Sequence, residues 1–133
     1  MQVLQQVLGL EGERVWTAAA GFGGGMGRQQ YVCGALTGAI MAIGLYGGRT
    51  IEDPKSIADT VRPRVAELIQ VFTKRFGSAN CGGLVPFDFK VEGEYAKFPT
   101  SGVKQRQCHQ YVKYTVETVA DWASRGELIP KKD

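Results

Sequence analysis

The sequence predicts an all-α fold, a single helical bundle of about four or five helices around one central apolar helix. Three observations carry this expectation. Apolar residues recur at three- and four-residue spacing along almost the whole chain. Residues 32–46 are apolar on nearly every side of a helix, as suits an element enclosed by others. The 133 residues suit one domain, residues 1–133, and are enough to bury a real core.

In chain order, Val3, Leu4, Val7 and Leu8 repeat at helical spacing, so the chain opens within a helix. Gly9 and Gly12 interrupt it before residues 15–20 resume. Residues 21–28, GFGGGMGR, hold five glycines and cannot form a helix interior. A nucleotide-binding reading fails on spacing: Met26 stands where a third glycine would complete the dinucleotide pattern, and no G-K-[ST] follows. The stretch is a tight connection. The central helix is expected over residues 28–46, with Gly34, Gly38 and Ala42 on one face where another backbone approaches closely. Gly47 and Gly48 end it.

Asp53 followed by Pro54 reads as an N-cap with proline in the first helical position. Ile57, Val61, Val65, Leu68, Phe72 and Phe76 then form an apolar stripe opposite charged residues, with a kink expected at Pro63 and a stop at Gly77. Residues 78–102 read as a long irregular connection with one short helical turn around Cys81, and long loops in compact domains are often functional. Asn80 and Gly82 flank Cys81, where backbone N–H groups would lower a thiol pKa. The last helix is expected over residues 104–125. Cys108, Val112, Thr115, Val119 and Trp122 form its buried stripe, and Arg106, Gln110, Lys113, Glu117 and Asp121 its wet side.

Composition narrows the function. Sixteen Lys+Arg against thirteen Asp+Glu give a net charge of +3, and the basic residues mingle with acids, which is no nucleic-acid footprint. Lys131 and Lys132 read as a solvated terminus. The start lacks a basic n-region and a long apolar run, and residues 32–46 fall short of a membrane span, so a cytoplasmic protein without membrane insertion is expected. Glu11, Glu13, Asp53, Asp59 and Glu67 read as caps or wet-face residues, not as a catalytic pair. Phe72, Phe76, Phe87, Phe89, Tyr111 and Tyr114 read as core and lid, and Trp16 and Trp122 as the edge of the core.

The chemistry lies in three cysteines. Cys33, Cys81 and Cys108 are odd in number and widely spaced, unlike a disulfide scaffold of the secreted kind. Converging in a bundle, they would act as redox thiols or as ligands of zinc, another soft metal or an iron–sulfur cluster. Gly34 and Gly38 would let a cofactor or partner helix approach Cys33. His109, the one histidine, lies about 100° around a helix from Cys108, so the two are poorly placed for one ion. It could instead serve Cys33 or Cys81 as a base in a nucleophilic pair. Buried structural cysteines in a self-associating interaction module are the other reading.

The segments AAAGFGGGMGR, VCGALTGAIMAIGL, FTKRFGSANC and CHQYVKYTV, in this order, resemble the C-GCAxxG-C-C family of redox-active proteins. Cys33 with Gly34, Ala35 and Gly38 matches the central element, which here reads CGAxxG, while Cys81 and Cys108 match the third and fourth cysteines. The family's first cysteine precedes the glycine-rich stretch, and no residue here fills it. Either the first turns of that helix lie upstream of Met1, or this member works with three thiols and a water, a small molecule or another subunit completes a tetrahedral site. The resemblance implies a helical protein with a buried cysteine cluster, of no settled activity and associated with a transporter; the redox-thiol reading adds an expected redox partner, and the small-residue face an expected homo-oligomer.

Overall fold

The computed structural model describes residues 1–10, 12 and 14–129. Glu11, Glu13, Lys131 and Lys132, assigned above to caps, wet faces and tail, lie outside them. The fold is all-α. Helix α1 (Gln2–Val7) leads to a 3₁₀ segment (Val15–Phe22), then α2 (Gly34–Gly47) and α3 (Pro54–Phe76). Two single turns, α4 (Cys81–Leu84) and α5 (Glu94–Lys97), precede a π-turn (Lys104–Cys108) that runs into α6 (His109–Ser124).

Helix α2 is central as expected, packing on α1, the 3₁₀ segment, α3 and α6. Leu36, Ala39, Ala42 and Ile43 are fully enclosed there, meeting Leu68 and Phe72 of α3 and Val119 and Trp122 of α6. Truncating a buried aromatic such as Phe72 costs about 3–5 kcal/mol. Phe72 and Phe76 meet Tyr111 and Tyr114 edge to face, which locks α3 to α6.

The small-residue face of α2 is taken up within the chain. A Cβ on Gly34 would stand 3.0 Å from the Phe22 carbonyl oxygen, and one on Gly38 2.9 Å from the Met1 nitrogen. The close approach anticipated there is therefore made by the chain's own N-terminal elements.

Helix α3 begins as the sequence predicts: the Ser56 N–H donates to the Asp53 carboxylate at 2.7 Å, Pro54 follows the cap, and Gly77 closes the helix at φ +86°. The helix runs through Pro63 as one element.

Four expectations need correction. Helix α2 starts at Gly34, six residues later than residue 28, so Cys33 is its N-cap and not a residue on its face. Val32 instead forms an antiparallel β-bridge with Asn80. Val112, placed on the buried stripe of α6, is 42% exposed, and Tyr111 is buried in its stead. Trp16 is 43% exposed, so only Trp122 joins the core.

Candidate functional site

The three cysteines come from three distant segments and border one cavity of about 670 Å³. The Val32–Asn80 bridge positions two of them. The Cys33 N–H donates to the Ala79 carbonyl at 2.9 Å and the Cys81 N–H to the Tyr31 carbonyl at 2.7 Å. Side chains alternate across such a bridge, so Cys33 and Cys81 are diagonal neighbours on one face. The third thiol arrives on the π-turn, whose last residue is Cys108. The Tyr111 hydroxyl donates to the Leu84 carbonyl at 2.8 Å, tying the helix after Cys108 to the turn that bears Cys81.

The glycine-rich stretch forms the floor. Gly24, Gly25, Met26, Gly27 and Arg28 all stand at positive φ, between +60° and +71°. The coil is closed by backbone bonds six residues apart: the N–H groups of Gly27, Gln30 and Tyr31 donate to the carbonyls of Gly21, Gly24 and Gly25. Only glycine fits at position 25, where a Cβ would lie 2.7 Å from both the Cys81 Cβ and the Tyr31 carbonyl oxygen. Met26, Arg28 and Gln30 hold the same left-handed conformation without being glycine, which costs roughly 1–2 kcal/mol each. Such strain clusters at functional sites.

A lid of aromatic side chains closes the other side. Phe89 packs on Tyr95 and Phe98 at centroid distances of 5.1 and 5.2 Å, and all three line the cavity. Gln30 clamps this lid with its amide, donating to the Phe87 carbonyl at 2.7 Å and accepting from the Phe89 N–H at 2.8 Å. Arg28 lies over the Tyr95 ring at 4.1 Å.

Electrostatics bind the thiols into one system. Burial raises the Cys33 pKa, outweighing the backbone N–H groups of Ala35 and Leu36 that favour its thiolate. Burial, together with the neighbouring sulfurs of Cys33 and Cys108, pushes Cys81 up to about 11. The expected lowering at Cys81 is thus reversed, because desolvation and two like charges exceed what one turn of backbone supplies. Cys108 is also raised, first by burial and then by Cys33, while Lys104 pulls the other way. All three are free thiols.

The structure does not bring every expected residue here. Gly34 lines the cavity; Gly38 lies instead against Met1 and borders a second cavity with Trp16. His109 is exposed and is not among the described residues lining the thiol cavity, so it is not placed as a base for Cys33 or Cys81. Among the described residues, no three His, Cys, Asp or Glu side chains are grouped to hold a metal ion. Sequence reasoning missed Arg28, Gln30, Tyr95, Phe98 and Lys104, whose roles depend on contacts across the fold.

The family described as "Putative redox-active protein (C_GCAxxG_C_C)" matches residues 1–122. The chain belongs to this family. An uncharacterised protein of Archaeoglobus fulgidus is 31% identical to this C-GCAxxG-C-C protein over 105 residues, 74% of the chain. The match spans 64% of that relative's length. No solved structure matches the chain. No helix among the described residues is long and apolar enough to cross a membrane.

Proposed function

We propose that this C-GCAxxG-C-C protein is a thiol–disulfide redox protein in which Cys33 and Cys81 form the exchanging pair and Cys108 is a third thiol beside them. The observation that carries the reading is the β-bridge, which supports Cys33 and Cys81 on one face at the wall of a single cavity. Diagonal neighbours across a bridge have Cα atoms roughly 7–8 Å apart, and disulfides usually span 4.4–6.8 Å, so closing the pair needs a shift on the order of 1 Å. The electron acceptor is an external disulfide, reduced to two thiols as the protein pair is oxidised.

The test is mild oxidation of the reduced, anaerobically purified chain, followed by peptide mapping and elemental analysis. The reading expects a Cys33–Cys81 bond, Cys108 still free, and no stoichiometric metal. A metal retained in stoichiometric amount and lost in Cys81→Ser would replace this account with a ligand role. Three thiols that stay reduced would leave the cysteines as packing residues.

A further inference from the structure

The cavity beside the thiols has a composition that the exchange reaction alone does not require. Two cationic side chains, Arg28 and Lys104, reach its wall from opposite ends of the chain, and none of the described residues lining it is acidic. Among the described residues neither cation enters an ion pair, although the exposed surface carries several. Arg28 is held in place by the Tyr95 ring. Apart from the thiols, the remaining wall is glycine, alanine, Val112 and the aromatic lid, so the interior is apolar beside these two exposed cations. At about 670 Å³ it falls within the roughly 300–1,000 Å³ range of small-molecule sites.

We infer that the cavity is the binding site for the electron acceptor, and that this acceptor is a small anionic disulfide whose carboxylate or phosphate groups meet Arg28 and Lys104 while its sulfurs face Cys33 and Cys81. The inference rests on the dithiol reading above. The exchange balances without another reagent. One protein thiolate attacks a ligand sulfur, forming a protein–ligand S–S bond and breaking the ligand's own, and the departing thiolate takes a proton. The second protein thiolate then attacks the protein-bound sulfur, closing Cys33–Cys81 and releasing the second ligand thiolate, which also takes a proton. Two electrons and two protons pass from the protein pair to the ligand.

The test compares two disulfides of matched length, 3,3′-dithiodipropionate with two carboxylates and cystamine with two ammonium groups. Each oxidises the reduced full chain, and each rate is normalised to the same chain unfolded in urea. The expected result is a preference of about tenfold or more for the anion in 0.01 M salt, lost in 1 M salt, where the screening length falls to about 3 Å. Lys104→Gln and Arg28→Gln should each reduce the preference several-fold, whereas Lys104→Arg and Arg28→Lys retain it. Lys113→Gln, which removes an exposed charge elsewhere, should leave it unchanged and so controls for net charge. Equal normalised rates with a Cys33–Cys81 bond formed in both cases would overturn the ligand class and leave the dithiol reading standing. Stable mixed disulfides with no bond between the cysteines would overturn the dithiol reading, and this inference with it.

Discussion

Adding one methyl group to the glycine-rich coil tests how the thiols are held. In Gly25→Ala the new Cβ would lie 2.7 Å from the Cys81 Cβ, 2.7 Å from the Tyr31 oxygen and 2.8 Å from the Tyr31 nitrogen. Two of these atoms are backbone and the third is a Cβ, so no rotamer change relieves the overlap. Position 25 also stands at φ +71°, where a side chain costs roughly 1–2 kcal/mol. Overpacking adds about 1–3 kcal/mol. Gly27→Ala is the matched control: it has a similar φ of +60° but nothing within 4 Å of the new methyl. The difference between the two variants isolates the overlap with Cys81 and the Tyr31 backbone. At roughly 3–5 °C per kcal/mol for a chain of this size, Gly25→Ala should melt about 3–15 °C below Gly27→Ala by calorimetry. Its Cys81 should also alkylate faster, because the displaced coil uncovers it. Equal melting temperatures, with Cys81 reactivity unchanged, would refute the claim that the coil packs directly against this thiol.

Three further outcomes follow from the same site. Cys81, with its pKa near 11, should react with iodoacetamide slowly at neutral pH, its rate climbing about tenfold per pH unit up to about pH 10 and levelling off above pH 11, as read by mass spectrometry of the labelled peptides. Because the folded pKa lies above the ordinary value of 9.0, the native state holds a proton that the unfolded chain releases, so stability is full below about pH 8 and declines as pH rises toward 11. Allowing for solvent screening of this half-exposed thiol, the loss at Cys81 is on the order of 1 kcal/mol, measurable by urea unfolding, and it should vanish in Cys81→Ser. Tyr111→Phe removes the donor to Leu84 and leaves a buried carbonyl without its partner, which should cost about 1–3 kcal/mol and loosen Cys81 relative to Cys108.

The long helices were legible because burial imposes a period on the sequence. The α3 stripe from Ile57 to Phe76, its Asp53 cap and its Gly77 stop all stand where spacing puts them. The start of α2 was not legible, since Tyr31 and Val32 continue the apolar run yet pair with the segment before Cys81. An apolar residue serves a buried helix and a bridge equally well, and only the partner strand decides. Helix α5 spans four residues, too few to display a helical period. At the site, the identity and order of Cys33, Cys81 and Cys108 were readable, whereas their shared cavity, their raised pKa values and the cations Arg28 and Lys104 arise from contacts between distant segments. The five glycines predicted a turn; its left-handed coil, closed by backbone bonds that Gly21, Gly24 and Gly25 accept from six residues ahead, has no periodic signature in the sequence.

The central claim is that two of the three thiols act as one redox couple, and an anaerobic equilibrium titration in a dithiothreitol buffer tests it most directly, with thiols counted by quenched alkylation. The account predicts the loss of two thiols in a single two-electron transition assigned to Cys33 and Cys81, with Cys108 retained. Because the raised pKa values keep the thiols protonated, the midpoint should fall by about 59 mV per pH unit between pH 6 and pH 8. Loss of thiols one at a time, or a transition that survives in Cys33→Ser or Cys81→Ser, would contradict it.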